Sequence, residues 1–513
     1  MYHYDSLPYA SDPFAETHPQ TLAMLAQLLG LAATPPTACR VLELGCAGGG
    51  NLIPMAWHLR DSQFVGIDLE QAQIDTGRAL IDELGLCNIE LRQGDIATLG
   101  DDLGTFDYVI AHGVFSWIPA AVRHALLALY KRVLRPNGVG YISYNTSPGW
   151  HVRGMLREML LFHTQGITDS RQGLDAAQQF LALYAETLRT QTGALSRHLL
   201  LEVEALRTAH PSYLYHEYLE VFNQPLLFRD FVELAQSHGL RYLCESRLEA
   251  MFPSGLGKMA AEFLESVDDS TRSEQYLDFF AQRTFRQSLL VHDDVRPDLD
   301  IDLERLADYA CASNLVPPTR LNLRRSTPQV FVSQDGKEVR IGDAQARAML
   351  AILHDSYPSA LPLGELAAQA AAAVGGGRAG QPGGTGWHSE LFGLYANGLV
   401  QLQVRPTVFD NSTPVRPRLH ALARAWLAQG APNLPTLRHQ PLNIDAFARH
   451  LAGCLDGEYD RDALVQQMVD DVRHGALVLP GKAIDPHQLR GVVAANVDRL
   501  LTLFAHNGLF EAG

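Results

Sequence analysis

The stretch VLELGCAGGG, residues 41–50, carries the strongest fold signal in the chain. It begins as an apolar run typical of a strand and passes into a glycine-rich turn, after which LIPMAWHLR has the spacing of a helix. Glycines in such a turn let the backbone approach a ligand closely, and the free N–H groups of the following helix face negative charge. The turn alone also suits a dinucleotide or no ligand at all. Its spacing, however, is Glu-x-Gly-x-(Gly/Ala)-x-Gly on Glu43, Gly45, Ala47 and Gly49, which differs from the dinucleotide pattern.

Strands and helices alternate on the C-terminal side of this stretch. The apolar runs CRVLELG, QFVGID, NIELRQGD, FDYVIAHG and GVGYISY end in glycine, aspartate or polar turns. Helix-like stretches lie between them, among them QAQIDTGRALIDELG and AAVRHALLALYKRVLR. This alternation predicts βαβ units and an α/β fold built on a Rossmann-like parallel sheet.

Acidic residues end the second and third of these predicted strands. Asp68 follows Gly45 by 23 residues, where a carboxylate can accept both hydroxyls of a ribose. The alternative for Asp68 is a cap on the following helix. Asp95, in QGDI, can accept the exocyclic amine of an adenine or can serve only as a turn residue. Finally, LRPNG (134–138) ends a helix and opens the fifth strand.

In this order and spacing, the four features resemble class I S-adenosylmethionine-dependent methyltransferases over roughly residues 38–145. Ala47 replaces the commoner middle glycine of the family's first motif. The resemblance implies S-adenosylmethionine as the cofactor and S-adenosylhomocysteine as its product. The cofactor contacts that it implies come from Glu43, Gly45, Cys46, Ala47, Gly49, Asn51, Asp68, Leu69, Asp95, Ile96 and His112.

A narrower resemblance covers most of residues 1–300. The segments THPQTLAML, IAHGVFSWIP, ISYNTSPGWH, YLYHEYLEVFNQP and FRQSLLVH resemble bacterial methyltransferases that carry a methyltransferase regulatory domain. The characterised members of that group are rickettsial-type protein lysine methyltransferases. The resemblance therefore implies methyl transfer, with a protein lysine amine as the acceptor.

The topology places the reaction pocket at the carboxyl ends of the strands. Candidates for catalysis there are His112, Trp117 and Tyr144, and candidates for substrate contact or a lid are Tyr4, Tyr9, His18, Asn145, Trp150 and His151. The two tryptophans also suit simple packing, His112 also suits a turn, and His151 also suits a helix start. The sequence assigns no proton acceptor.

Residues 150–224 have helical patterns without a convincing strand, and 225–295 again carries strand-like segments at 240–248 and 285–291. We interpret 150–224 as a helical insertion that caps the strand ends, and 1–149 plus about 225–295 as one S-adenosylmethionine-binding domain. The alternative is one continuous second domain from 150 to 295.

Two winged-helix-like, mainly α units are predicted beyond this domain, at 300–425 and 440–513. Each unit contains one of two similar segments, LYANGLVQL in the first and LFAHNGLFE in the second. A hairpin is predicted in QVFVSQDGKEVRI, and GGGRAGQPGG (375–384) has the composition of a flexible loop.

Composition limits the remaining function classes. The 513 residues predict three or four domains, and the net charge of 41 − 57 = −16 disfavours a nucleic-acid partner. No Asp/Asn/Ser-Pro-Pro-aromatic segment for base methylation, no Pro-Cys nucleophile and no HExxH metal motif occurs. Six cysteines without a CxxC pair suit a reducing cytoplasm, and no apolar run is long enough for membrane insertion.

Three functions stay open at this point. The first is methyl transfer to a protein lysine, and the second is methyl transfer to a small molecule. The third is a catalytically silent, cofactor-sensing interaction protein. The sequence also leaves open whether the protein forms a homodimer.

Overall fold

The strands of a seven-stranded sheet lie between residues 40 and 292 of this computed structural model. The structure describes residues 12–253, 255–324, 327–333, 336–375, 386–478, 485 and 487–511. The strands are β1 (Arg40–Leu44), β2 (Gln63–Asp68), β3 (Ile89–Gln93), β4 (Phe106–Ala111), β5 (Leu134–Asn145), β6 (Leu240–Glu245) and β7 (Phe285–His292). Their order in the sheet is β3-β2-β1-β4-β5-β7-β6. The first five are parallel, whereas β7 runs antiparallel to both β5 and β6. The predicted α/β, Rossmann-like sheet is confirmed.

Helices alternate with the parallel strands as the sequence pattern predicted. The helix α1 (Pro19–Leu28) precedes the sheet, whereas α2 (Leu52–His58), α3 (Gln71–Glu83) and α4 (Ala120–Val133) follow β1, β2 and β4. Val41, Leu42 and Leu44 of β1 are completely buried. Because helices cover both faces of a parallel sheet, such a central strand is apolar on both sides.

The chain leaves the sheet after β5 and returns to it through β6 and β7. The elements between are α5 (Trp150–His163), α6 (Ser170–Arg189), α7 (Ala194–Thr208), α8 (Pro211–Leu214), a π-helical turn (Tyr215–Leu219), α9 (Phe228–Ser237), α10 (Lys258–Glu265) and α11 (Ser270–Ala281). Helices α5 to α8 share an apolar core of their own, which includes Leu156, Leu181 and Val203. The strand-like segments predicted near 240–248 and 285–291 therefore do complete the first sheet.

A buried ion cluster fixes this antiparallel edge. The guanidinium of Arg286 on β7 is fully buried and lies 2.8 Å from carboxylate oxygens of Glu245, Glu274 and Asp278. It also stacks on the ring of Phe228, with 3.8 Å from the guanidinium carbon to the ring centroid. The cluster joins β6, β7, α9 and α11, so that one cation holds four elements that are far apart in sequence.

The C-terminal part combines helices with short strands. Its strands are β8 (Ala310–Ala312), β9 (Gln329–Val332), β10 (Glu338–Ile341), β11 (Leu361–Pro362), β12 (Gln401–Gln403), β13 (Asn433–Pro435) and β14 (Pro441–Asn443). Its helices are α12 (Ala344–Ser356), α13 (Leu363–Val374), α14 (Gly386–Ala396), α15 (Ala421–Ala428), α16 (Ala446–Gly453), α17 (Arg461–Arg473) and α18 (Leu489–His506). The predicted hairpin is confirmed as the antiparallel pair β9–β10. Asp335 of its turn and residues 376–384 of the predicted flexible loop lie outside the described residues.

The similar segments LYANGLVQL and LFAHNGLFE end their helices in the same way. Gly398 follows α14 and Gly508 follows α18, and both have left-handed backbones, with φ of 68° and 66°. Glycine suits this helix ending because it has no Cβ to clash. Among the described residues, every helix is too short or too polar to cross a bilayer.

We expect Gly77→Ala to destabilise the fold by about 1–2 kcal/mol, because its added methyl group would collide with Leu91 and lie 2.5 Å from the carbonyl oxygen of Gly48. Gly154→Ala is the matched control, since Gly154 is also in a helix but has nothing within 4 Å of the new methyl group. This control should gain up to about 1 kcal/mol from helix propensity. Denaturant unfolding measures both variants, and equal stabilities would contradict close packing of α3 on the glycine-rich turn.

Candidate functional site

A cavity of about 330 Å³ lies at the carboxyl ends of β1, β2 and β4. It brings together most of the residues predicted to contact a cofactor, and two of the three predicted to act in catalysis, His112 and Trp117. The predicted residues that line it are Glu43, Gly45, Cys46, Ala47, Asn51, Asp68, Leu69, Asp95, Ile96, His112 and Trp117. Parallel strands end at one edge of a sheet, which explains why side chains from separate motifs meet here.

The glycine-rich turn forms one wall of the cavity. Gly45 has a left-handed backbone with φ of +74°, and a Cβ there would collide with Val114. Ala47 is also left-handed, with φ of 46°, a conformation that is costly for a residue with a side chain. Gly49 does not line the cavity, and a Cβ on it would meet Leu91 of β3 and Ile53 of α2 at 3.0–3.2 Å, so this glycine allows close packing behind the turn.

Asp68 anchors this turn from the end of β2. One carboxylate oxygen accepts the N–H of Ala47 at 2.7 Å, and the other accepts the N–H of Glu70 at 3.0 Å. The N-cap residue of α3 is Glu70, so the alternative in which Asp68 caps this helix is wrong. Each carboxylate oxygen can accept a second hydrogen bond, which leaves Asp68 able to bind a pair of hydroxyls in the cavity.

Asp95 lies at the next strand end and has two roles in the structure. Its Oδ1 accepts the N–H of Ala97 at 2.9 Å, which caps a short 3₁₀ turn, and the residue also lines the cavity. The two alternatives for Asp95 therefore do not exclude each other.

Glu43 carries a carboxylate oxygen that lacks a partner. The side chain is buried, and its Oε1 accepts a hydrogen bond from the amide nitrogen of Asn51 at 2.8 Å. Its Oε2 has no hydrogen-bond partner among the described residues, and burial raises the pKa of the carboxyl group to about 8. A buried acceptor without a partner is costly, so the position suits a ligand that carries a positive charge or an N–H donor.

Asn51 ties this carboxylate to distant parts of the chain. Its Oδ1 accepts hydrogen bonds from the backbone of Phe14 at 3.0 Å and from Thr17, and it lies 2.8 Å from Nε2 of His439. His439 is buried, has a left-handed backbone with φ of 56°, and belongs to the turn between β13 and β14. The C-terminal part of the chain therefore supports the cavity directly.

His112 follows β4 and lines the cavity. Its ring stacks on Phe14 with centroids 3.9 Å apart, and its Nδ1 lies 2.9 Å from the hydroxyl of Tyr141. Burial lowers the pKa of His112 to about 4, so its imidazole is neutral at pH 7. His112 is thus a neutral wall of the cavity with an aromatic neighbour.

Part of the cavity wall comes from residues that the sequence did not single out. The π-helical turn contributes His216 and Glu217, and Glu220 follows it. Burial raises the pKa of Glu217 to about 7. Nδ1 of His216 lies 3.5 Å from a carboxylate oxygen of Glu220. The sequence does contain a pair of carboxylates on a single turn, in HEYLE within YLYHEYLEVFNQP. That these carboxylates lie at the strand ends, however, depends on how the helical insertion folds.

Comparison with known proteins finds relatives over nearly the full length. The chain matches the models described as "Methyltransferase domain" at residues 41–138, "Predicted methyltransferase regulatory domain" at 210–292 and "PKMT, C-terminal winged helix domain" at 416–509. The uncharacterized protein RP789 of Rickettsia prowazekii is 30% identical over 502 residues, which cover 93% of this chain and 87% of the relative. This chain belongs to the class I S-adenosylmethionine-dependent methyltransferases with a methyltransferase regulatory domain.

Two further relatives agree with this family. The uncharacterized protein RP028 of Rickettsia prowazekii is 34% identical over 240 residues, which cover 47% of this chain and 96% of the relative. The structure of PKMT2 from Rickettsia typhi in complex with AdoHcy matches with a TM-score of 0.85 and 26% identity, over 98% of this chain and all of that chain. The winged-helix match starts at residue 416, within the segment 300–425 that was predicted as a separate unit.

The cofactor of this methyltransferase is S-adenosylmethionine, and the cavity fits it. The unpartnered oxygen of Glu43 can accept its amino group, and Asp68 can accept the ribose hydroxyls. A side chain at position 45 would fill the space beside Val114, and only glycine leaves that space free. Asp95 is available for the adenine amine.

Tyr144, which was predicted to act in catalysis, does not line the cofactor cavity. Its side chain is 1% exposed, stacks on Phe231 of α9 with centroids 4.1 Å apart, and lies with its hydroxyl 3.3 Å from Ser288. The cause is the two-residue period of β5. Tyr141 and Ser143 point toward the loop after β4, where they contact His112 and Gly113, so Tyr144 points to the opposite face.

Those predicted lid and substrate residues that the structure describes do not line this cavity. Trp150 is buried and packs edge-on against Trp117, and Asn145 bonds to Ser116 and Asn223. His151 is exposed on α5, whereas His18 caps α1 through a 3.1 Å contact with the N–H of Gln20. Tyr4 and Tyr9 lie outside the described residues.

We expect His439→Ala to weaken S-adenosylhomocysteine binding by about three- to tenfold, because Asn51 loses one of the contacts that orient it toward Glu43. His439→Gln, which can still donate to Asn51, should recover most of the affinity. His450→Ala is the control, since His450 belongs to the same C-terminal region and pairs with Asp471. Calorimetry measures the dissociation constants, and an unchanged value for a folded His439→Ala protein would remove this residue from the site's support.

Proposed function

We propose that this methyltransferase transfers the methyl group to a lysine amine of a protein. The observation that carries the proposal is the acidic wall at Glu217 and Glu220, which joins the cofactor cavity beside Trp117. A negative wall attracts a cationic side chain, and the aromatic face of Trp117 can hold an ammonium group. The sequence resemblance to protein lysine methyltransferases and the relative named PKMT2 support the same acceptor.

The attacking amine must lose a proton before it reacts. S-adenosylmethionine supplies the methyl group as an electrophilic sulfonium substituent. A lysine amine has a reference pKa of about 10.4, so it is protonated when it arrives at neutral pH. We assign Glu217 as the proton acceptor, because burial raises its pKa to about 7, near the operating pH of a general base.

The walls of the cavity favour the neutral amine. His112 is neutral and Phe14 stacks on it, while Val114, Ile118 and Val122 add apolar surface. Burial in such surroundings lowers the pKa of an amine, and exclusion of water keeps it aligned with the donor. The helical segment 150–224, which holds Glu217, acts in this proposal as the cap over the strand ends.

The two other functions have less support. A small-molecule acceptor needs no C-terminal region of this size, whereas here that region reaches the cofactor site through His439. A silent cofactor sensor needs no buried carboxylate with a raised pKa beside the cofactor, which Glu217 provides.

The acceptor class can be tested with a labelled methyl donor. The full chain is incubated with the donor and with three separate pools from a bacterial lysate, namely protein, RNA and small molecules. The proposal expects label in the protein pool. Label only in the RNA pool or the small-molecule pool would overturn the lysine assignment and leave the cofactor assignment intact.

A further inference from the structure

A second cavity, of about 300 Å³, lies where the N-terminal segment, the end of β6 and the C-terminal units meet. Its wall includes Gln20, Arg247, Glu249, Gln403, Arg438 and His439. Within the described part of the chain, it shares no lining residue with the cofactor cavity.

Among the residues that the structure describes, Arg438 is a buried cation without an ion-pair partner. Arg438 is 8% exposed, and its Nε and Nη2 are buried and have no hydrogen-bond partner in the described ranges. The guanidinium carbon lies 6.0 Å from the centroid of the Tyr357 ring, at the far limit for a cation–π contact. A guanidinium keeps its charge even when it is buried, so this arrangement is costly unless an anion compensates it.

The carboxylates in the same wall are already paired. Glu249 lies 2.6 Å from Nε of Arg247, and Glu16 lies 4.0 Å from another nitrogen of that guanidinium. Arg247 thus offsets one of these two negative charges, and with Arg438 the charges of the wall sum to zero. Both carboxylates lie at Arg247, and neither forms an ion pair with Arg438 in the described part of the chain.

Two other polar atoms of the wall are also buried without a partner. They are Nε2 of Gln20 and Nδ1 of His439. The amide nitrogen of Gln20 is a donor that an oxyanion can accept. Nδ1 of the neutral His439 is an acceptor, because Nε2 carries the proton toward Asn51, and it suits a hydroxyl group of the same ligand, such as the one that monohydrogen phosphate carries.

The unsatisfied atoms of Arg438 suit an oxyanion. Nε and Nη2 form one edge of the guanidinium, and this edge binds carboxylates side-on elsewhere in the chain. In Arg461 it contacts both oxygens of Asp498 at 2.7 Å, and in Arg92 both oxygens of Glu90 at 2.7 Å. Two parallel hydrogen bonds of this kind select planar carboxylate and phosphate groups.

We propose that this cavity binds a small oxyanion, a free phosphate or the carboxylate of a small organic acid, against Arg438. The volume suits a small ligand. The bound anion would lie beside His439, whose other ring nitrogen contacts Asn51 of the cofactor site. The proposal goes beyond methyl transfer, and it holds whatever the methyl acceptor is.

The test uses the full chain saturated with S-adenosylhomocysteine, so that the first cavity is occupied. Sodium phosphate and sodium malonate are titrated at constant ionic strength, with chloride as the balancing salt, and binding is measured by calorimetry. At least one of the two is expected to bind saturably. Arg438→Met should weaken that binding by about tenfold or more, because a charge-assisted pair is lost.

Arg473→Met is the matched control, since Arg473 is exposed on α17 in the same C-terminal region and lies 3.7 Å from Asp470. It should bind the anion as the unchanged protein does. If Arg438→Met fails to fold, Arg438→Lys replaces it, and the lost two-bond geometry should still weaken binding. Preference for phosphate or for malonate identifies the source of the oxyanion. Absence of saturable binding for both anions, or equal binding by the folded Arg438 variant, would overturn the proposal.

Discussion

Glu217→Gln is expected to lower the turnover number for methyl transfer about 10²- to 10³-fold, because a general base contributes on this scale. Glutamine keeps the size and the hydrogen-bonding capacity of the side chain but cannot take a proton from the amine. The affinity for S-adenosylhomocysteine should change by less than about threefold, since Glu217 is assigned to the acceptor and not to the cofactor. A kcat defect without a binding defect is therefore the expected signature.

The pH dependence provides a second measurement of the same variant. Burial raises the pKa of Glu217 to about 7, so the fraction of the basic carboxylate form rises as the pH passes through that value. Activity of the unchanged enzyme should rise between about pH 6 and 8, and this part of the rise should disappear in Glu217→Gln. Glu233→Gln is the control, because Glu233 is an exposed glutamate on α9 outside the cavity. A full pH response in Glu217→Gln would assign the proton transfer to another group.

Asp68→Ala is expected to weaken S-adenosylhomocysteine binding about 10- to 100-fold, which corresponds to about 1.5–3 kcal/mol. Two effects add in this variant. The ribose loses an acceptor, and the left-handed turn at Ala47 loses the 2.7 Å hydrogen bond that holds it. Asp68→Asn keeps one acceptor oxygen, so its loss should be smaller.

The control for this prediction is Asp75→Ala, because Asp75 lies on the exposed side of the next helix, with a side chain that is 62% exposed. Calorimetry on the three variants gives the dissociation constants, and thermal unfolding confirms that each protein is folded. An unchanged constant for folded Asp68→Ala would exclude Asp68 from the cofactor site.

The parts of the fold that depend on local pattern were predictable from sequence. β1 to β5 and their helices follow from apolar runs that alternate with helical spacing, and β6 and β7 were recognised in the same way. Glu43, Asp68 and Asp95 follow from motif spacing, because the ends of parallel strands necessarily share one edge. Tyr144 shows the limit of this reasoning, since a position at a strand end does not reveal which face the side chain occupies. Tyr141, three residues earlier on β5 and therefore on the opposite face, is the tyrosine whose hydroxyl contacts His112.

The rest of the site depends on tertiary packing. His439 contacts Asn51 across a sequence separation of 388 residues, and no local pattern indicates that contact. Glu217 lies on a π-helical turn, a geometry with an extra residue that helical periodicity does not predict. Its raised pKa is a consequence of burial and therefore appears only in the folded chain.

Methylation of a lysine side chain in a protein is measured most directly by mass spectrometry. The full chain is incubated with S-adenosylmethionine and the protein pool of a bacterial lysate, and the reacted proteins are digested and sequenced. The same reaction with Glu217→Gln serves as the control. We expect lysine residues that carry one or more added methyl groups in the first sample, and a strong decrease of the same peptides in the control. Methyl groups found only on other residue types, or on no protein, would contradict lysine methylation by this enzyme.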